Sequence, residues 1–386
     1  MKIVNVGIIG GGLMGKEAAS AFGRWFALQN YPIKVQLTAV CDLDEQTLNW
    51  YKQIETVRLL TRDYKELIQS DLVDVVYIAV PHHLHKSMYI EILQAGKDLL
   101  GEKPFGIDLD AAREIAQVAT DLNRFARCSS EMPFFPGAQR VIQEIQSGRL
   151  GQIIEVKAGF LHASDMNPLK PINWKRQSQH CGEIGVMGDL GIHVLHIPLR
   201  LGWKPSLVFA QLQKIITKRP DGMGNWAIAD TWNNATLSTR IHPAGEPIPM
   251  TLEMKRLAPG ETNTWYIEVY GTQGGVRYST KDIKALWTFN WNQGNEQSWQ
   301  RTDLGFQVSF PTVTGGIFEP GFPDALMQML AAYFAEREGK LAEHFGCVTL
   351  QEVIDSHEIF AAALISHQQS KAITISTSGD ESSNRT

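Results

Sequence analysis

Val4-Asn5-Val6-Gly7-Ile8-Ile9-Gly10-Gly11-Gly12-Leu13-Met14-Gly15 sets a G-x-G-x-x-G run directly behind a β-branched apolar stretch and in front of a helical period. In that context the three glycines have separate tasks. Gly10 allows a tight turn, Gly12 lets the backbone approach a pyrophosphate, and Gly15 lets helix and strand pack closely. The helix that opens at Leu13 and Met14 presents unpaired N–H donors to an anion. Gly10, Gly12, Leu13, Met14 and Gly15 are therefore the expected pyrophosphate contacts.

Outward from this loop, the second strand ends Thr38-Ala39-Val40-Cys41 and delivers Asp42, an acid placed to accept from the adenosine ribose hydroxyls. Asp42 lies 27 positions after Gly15, more than the usual ~20, so a lengthened first helix and loop through Asn30-Tyr31-Pro32 must absorb the excess. No Arg or Lys follows in Leu43-Asp44-Glu45-Gln46 to neutralise a 2′-phosphate, which favours NAD over NADP. The alternative is that Asp42 caps the next helix, a role equally open to Asp44.

Alternating strand and helix periods continue to about Ser130. Strands are read at Val4–Ile9, Val35–Cys41, Val73–Val80, Asp98–Leu100 and Ala126–Ser129, with helices at Leu13–Leu28, Ser87–Leu93 and Asp110–Thr120. This is the pattern of βαβ units, an α/β domain on a parallel sheet spanning residues 1–135. A helix over Gly137–Gln146 leads into a second, α+β domain at 136–375. Its longer strands are Ile153–Leu161, Ser206–Ile216, Ala227–Ile241, Met250–Lys255 and Thr264–Tyr270, with a turn at Gly271–Gly275, and they predict a large open, mostly antiparallel sheet. Helices are expected at Gly185–Leu201, Phe322–His344 and Leu350–Ser370, the last two open to packing back on the first domain. The polar tail, 376–386, is expected to be disordered.

Bulk properties exclude several classes. With 386 residues, 44% hydrophobic and 20% charged, the chain suits two globular domains. A net charge of −5 without a basic block argues against nucleic acid. No segment is long and apolar enough to span a bilayer. Met1-Lys2 runs straight into the first strand instead of a signal peptide, and Cys41, Cys128, Cys181 and Cys347 form no CxxC pair, so a reducing cytoplasm is expected. His82, His83, His85, His193 and His196 lack the acid-and-His spacing of a metal site, and none is expected.

The next strand ends carry Val80-Pro81-His82-His83-Leu84-His85 and Gly101-Glu102-Lys103-Pro104-Phe105; the second domain carries Gly188-Asp189-Leu190-Gly191-Ile192-His193. With the glycine loop, these resemble the Gfo/Idh/MocA family, named for glucose-fructose oxidoreductase and inositol dehydrogenase, over nearly the whole chain. The resemblance implies that Lys103 faces nicotinamide and substrate with Pro104 after a cis peptide. It also implies that Pro81, His82, His85 and Glu102 lie along the cofactor, and that Lys103, Asp189 and His193 form the catalytic set. From the residues alone, Lys103 falls at the carboxyl end of a parallel strand, and Asp189 and His193 share a helix face whose glycines suggest that a ligand or backbone approaches there.

Trp174-Lys175-Arg176 resembles a Trp-Arg element near the substrate in some members. The sequence departs from the family at Glu131-Met132-Pro133-Phe134-Phe135-Pro136, where many members have an arginine, and at Cys181-Gly182-Glu183 in place of paired glycines. The function implied is hydride transfer between NAD and a secondary alcohol or ketone of a sugar, inositol or related polyol, by a homodimer or homotetramer. Two alternatives are an NAD-dependent glycosidase using transient oxidation and a non-catalytic NAD sensor.

Overall fold

Strand β1 (Ile3–Ile9) is the axis of the first sheet, buried from Val6 onward. It pairs in parallel with β2 (Lys34–Cys41) on one side and β4 (Val75–Ile78) on the other. The computed structural model describes residues 3–291, 297–305, 309–315 and 318–376, so the expected polar tail lies outside the described residues except for Ser376. The chain divides into two compact units, Met1–Pro136 with Gly305–Val353 and Gly137–Leu304 with Ile354–Thr386.

In the first unit, β3 (Leu59–Thr61), β5 (Asp98–Gly101) and β6 (Ala126–Cys128) complete a parallel sheet of order β3-β2-β1-β4-β5-β6. The order reverses between β1 and β4, and a ligand of such a sheet binds outside the strand carboxyl ends at that switch. The crossovers are α1 (Leu13–Gly23), α2 (Glu45–Tyr51), α3 (Tyr64–Gln69), α4 (His85–Gln94) and α5 (Leu109–Asp121). Asp44, Asp63 and Asp108 cap α2, α3 and α5 by accepting from backbone N–H groups of the first turn. The lengthened stretch before Asp42 is therefore not one long helix. Helix α1 stops at Gly23, and a short turn at Trp25–Ala27 follows. Trp25 packs edge-on against Tyr31 at 5.5 Å, and the Tyr31 hydroxyl donates to the Ala331 carbonyl at 2.5 Å.

The second unit begins within α6 (Pro136–Gln146) and builds on β7 (Ile153–Leu161), which lies mid-sheet. After α7 (Ser178–Cys181) and α8 (Val186–Arg200) come β8 (Leu207–Gln213) and a separate two-stranded ribbon, β9 (Lys218–Pro220) with β10 (Trp226–Ile228). Then follow β11 (Asn234–Ala244), β12 (Glu246–Lys255), β13 (Thr264–Gly271), β14 (Gly274–Ser279), β15 (Ala285–Asn290) and β16 (Gln300–Asp303). Helix α9 (Phe322–Arg337) lies in the first unit, and the chain closes through α10 (Leu350–Gln369), most of it in the second unit, and the short β17 (Ile373–Thr374). The sheet order is β16-β15-β14-β13-β7-β12-β11-β8-β17, and among the described residues only the β7–β12 pair is parallel.

Two expected elements are cut short for identifiable reasons. The single strand expected over Ala227–Ile241 breaks at 229–233, where Asn233 Oδ1 accepts from Ile215 and Ile216 N–H, and Asp230 accepts from the Ser178 N–H and hydroxyl. Helix α9 ends at Arg337 rather than His344. Gly339 at φ 65° closes it, with Gly339 N–H on Glu336 O and Lys340 N–H on Ala335 O, the Schellman arrangement.

Every residue of α8 from Val186 to Leu199 is buried, so Asp189 and His193 sit inside the unit. The opposite face of the sheet interleaves aromatic rings with charge. Arg277 lies over Trp299 at 4.3 Å and Trp287 at 5.3 Å, Lys157 lies over Tyr270 at 5.3 Å, and Tyr266 donates to Glu253. All four cysteines are buried. Burial, aided by Asp42, pushes the Cys41 thiol up to about 12, and burial pushes Cys181 up to about 11. No helix among the described residues is long and apolar enough to cross a membrane.

Candidate functional site

The glycine loop is shaped by its own backbone. Gly10 has φ +89°, and a Cβ there would meet the Ala79 carbonyl oxygen at 2.2 Å; a Cβ on Gly15 would meet the Gly10 oxygen at 2.4 Å. Both positions thus require glycine for internal reasons. Gly12 differs, because a Cβ there would meet nothing of the chain within 4 Å. It caps α1, and Leu13 beside it is 76% exposed. Gly12 and the first amides of α1 therefore fit a dinucleotide pyrophosphate that needs close backbone approach.

Asp42 is tied to this loop. Its Oδ2 accepts from Gly11 N–H at 2.7 Å and its Oδ1 from Asp44 N–H at 2.8 Å. Helix capping falls to Asp44, which accepts from Gln46 and Thr47, and the Thr47 hydroxyl and amide hold its carboxyl below the usual range. Tyr51, from the far end of α2, donates its hydroxyl to Gly11 O at 3.1 Å.

At the next strand ends, His82 and His85 are buried and Pro81 is half-buried. The His85 ring bridges two loops, with Nε2 3.0 Å from Val80 O and Nδ1 accepting from Gly106 N–H at 3.3 Å, and it stacks on Tyr89 at 4.7 Å. Glu102 is 6% exposed; its Oε1 accepts from the hydroxyls of Tyr77 at 2.8 Å and Ser129 at 2.7 Å, while Tyr89 donates to its backbone carbonyl. These contacts brace the turn that carries half-buried Lys103, and the Lys103–Pro104 peptide is cis.

In the second unit, Asp189 projects from the first turn of α8 and is 7% exposed. Its Oδ1 accepts from Lys175 Nζ at 2.9 Å, and its Oδ2 from Arg256 Nε at 3.0 Å and Nη2 at 2.5 Å. His193, one turn on, is 1% exposed; Phe160 meets its ring edge-on at 5.4 Å, and Trp265 donates to its carbonyl at 2.8 Å. Trp174 lies 5.5 Å from the Lys175 ammonium. Arg176 is 4% exposed, and Asp165 takes its Nε at 2.5 Å and Nη2 at 2.7 Å. At Gly191 what approaches is neither ligand nor backbone but a ring: a Cβ there would meet Phe360 Cζ at 2.4 Å, so packing against α10 demands glycine.

A family model described as "Oxidoreductase family, NAD-binding Rossmann fold" matches residues 4–128, and one described as "GFO/IDH/MocA C-terminal domain" matches residues 138–277. The chain belongs to the Gfo/Idh/MocA oxidoreductase family. Levoglucosan dehydrogenase of Pseudarthrobacter phenanthrenivorans is 26% identical over 295 residues, 72% of this chain and 74% of that protein. Trans-1,2-dihydrobenzene-1,2-diol dehydrogenase of Sus scrofa is 27% identical over 177 residues, 45% of this chain and 51% of that protein. A solved structure of levoglucosan dehydrogenase in complex with NADH and L-sorbose superposes with a TM-score of 0.86 at 22% identity, covering 98% of this chain and 100% of that one, which establishes the shared fold.

As a Gfo/Idh/MocA protein, the chain has its NAD-binding domain in the first unit, and the open cradle at Gly12 suits that cofactor. Gly12→Ala should fold with unchanged thermal stability yet bind NADH at least ~10-fold more weakly, about 1.4 kcal/mol. Calorimetry paired with an NADH titration checks this; unchanged affinity would separate the loop from the cofactor. Sequence reading missed Arg256, Asp165, Tyr77 and Ser129. Tyr77, a hydroxyl inside the buried strand β4, was the one with a local signal, since such a group requires a partner.

Proposed function

We propose that this Gfo/Idh/MocA protein interconverts a secondary alcohol and ketone on a sugar, inositol or related polyol, using NAD. The observation that carries this reading is a buried, ion-paired Asp189 one helical turn from a buried His193, in a family whose first domain binds NAD. The names of two relatives, levoglucosan dehydrogenase and a dihydrodiol dehydrogenase, support an alcohol carbon as the reacting centre. Bound NAD would accept or return the hydride. Gly10, Gly12, Leu13, Met14 and Gly15 hold its pyrophosphate, Asp42 its ribose, and Pro81, His82, His85 and Glu102 shape its nicotinamide end. In oxidation, His193 takes the hydroxyl proton, Lys103 stabilises the developing alkoxide, and Asp189 fixes charge and orientation. Trp174 and Lys175 contact the substrate. A panel of sugars, inositols and sugar acids assayed for NAD reduction tests the reading; no turnover with any, by protein that binds NADH, overturns it.

NADH is expected to bind more tightly than NADPH, because Asp42 repels a 2′-phosphate. Equal or reversed affinities in fluorescence titrations would remove Asp42 from the ribose site. We further propose a cytoplasmic homodimer or homotetramer formed through the outer face of the nine-stranded sheet. The support is the aromatic and charged side chains of that face, such as Trp287, Arg277 and Tyr270. Aromatic residues and arginine are enriched in interface cores. Light scattering should return a dimer or tetramer mass at micromolar protein, and a single-chain mass would contradict the assembly.

A further inference from the structure

We propose that Arg256 is a positioning residue that holds the Lys175–Asp189 pair in one geometry, so that turnover depends on a guanidinium at this position. The inference rests on the functional reading of Lys175, Asp189 and His193 given above. Arg256 follows directly on β12 and is 2% exposed. Its backbone is fixed on both sides, with its N–H on Asn233 O at 3.0 Å and its carbonyl accepting from Asp165 N–H at 3.2 Å. From this anchor the side chain reaches two targets. Nε and Nη2 donate to Asp189 Oδ2 at 3.0 and 2.5 Å, and Nη1 donates to the Lys175 backbone carbonyl at 3.4 Å. Lys175 Nζ donates to Asp189 Oδ1 at 2.9 Å and closes a ring of guanidinium, carboxylate, ammonium and backbone. One planar group therefore grips the Asp189 carboxylate and the backbone from which the Lys175 side chain starts.

The Lys175 carbonyl is also where a second buried pair arrives. It accepts from Arg176 Nη1 at 3.2 Å, Thr231 Oγ1 at 3.4 Å and Cys181 Sγ at 3.5 Å, while Arg176 is neutralised by Asp165. Burial, and then the neighbouring Arg256, make the Arg176 guanidinium easier to deprotonate than usual. Two guanidiniums this close inside the unit each require a carboxylate, Asp165 for one and Asp189 for the other. Asp189 is thereby committed as an anion. It serves as a fixed charge, and proton transfer falls to other groups, His193 among them. Lysine cannot replace Arg256, because an ammonium is a point charge that cannot span carboxylate and carbonyl in one plane.

The test uses Arg256→Lys, Arg256→Gln and Arg256→Ala, with NADH titration and circular dichroism as controls for the fold and for the first unit. Both Arg256→Lys and Arg256→Gln should lose about 10²-fold in kcat, as for a misplaced reacting group, with NADH affinity unchanged. The acid limb of their kcat profile should move to higher pH, because Asp189 loses its fork. Millimolar guanidinium, but not urea, should restore at least about tenfold of the loss in Arg256→Ala. Wild-type kcat and pH profile in folded Arg256→Lys would overturn the inference. Independently of turnover, a crystal structure of Arg256→Gln should show the Lys175 ammonium withdrawn from Asp189; a retained 2.9 Å contact would overturn the inference whatever the substrate. Absence of wild-type turnover on every sugar and polyol would overturn the functional reading instead.

Discussion

Lys103→Met and His193→Asn are each expected to lower single-turnover hydride transfer by ~10²–10⁴-fold, the range for a lost acid–base group or a lost charge stabiliser. NADH affinity stays at the wild-type value, because the glycine loop and Asp42 are untouched. Lys103 sits on a turn braced by the Tyr77–Glu102–Ser129 bonds, and His193 in a helix buried along its length, so each element has supports besides the replaced side chain. If both groups serve one transition state, the double variant loses much less than the product of the single losses. A near-wild-type rate in either single variant removes that residue from the mechanism, and lost NADH binding in both makes them structural.

Asp165→Ala produces the largest expected loss of stability, ~3–5 kcal/mol, the cost of stranding a buried partner charge. Asp165 is fully buried and pairs with Arg176, which is 4% exposed, at 2.5 Å. For a unit of this size the midpoint of thermal unfolding falls by roughly 10 °C. Replacing both partners, Asp165→Leu with Arg176→Met, recovers only part of the loss, since the cost of the Arg176 pair disappears while buried Arg219, 3.9 Å from Asp165 Oδ2, still loses its carboxylate. Urea unfolding followed by tryptophan fluorescence checks both variants. A change under ~1 kcal/mol in Asp165→Ala, the scale of a surface pair, would show that the ion pair is not holding the Trp174–Arg176 turn.

The parts of the fold visible in the sequence were those in which local chemistry decides. The strand Val4–Ile9, the glycine loop and the next strand's Asp42 announce a dinucleotide crevice because each tight turn leaves its own residue signature, and strand β7 was read with the bounds that it has. Short elements escaped notice. Leu59–Thr61 and Gln300–Asp303 are 3 and 4 residues long, too few for a period to register. Long-range partnership escaped as well. Asp189 stands out in the sequence through its spacing to His193, but Arg256, 67 positions away along the chain, gives no sign until the β12 end brings its guanidinium to that carboxylate. Gly191 shows the converse. Its presence drew attention, yet the reason for it is the ring of Phe360, on a helix more than a hundred residues later.

The most direct test of hydride transfer from a secondary alcohol is stopped-flow reduction of NAD with the best substrate from a sugar and polyol panel, run with hydrogen or deuterium at the reacting carbon. The account predicts one NADH formed per active site, a primary isotope effect on its appearance, and loss of that signal in Lys103→Met and His193→Asn. Glycoside cleavage with retained NAD and no net NADH, or a rate indifferent to deuterium and to both substitutions, would contradict it.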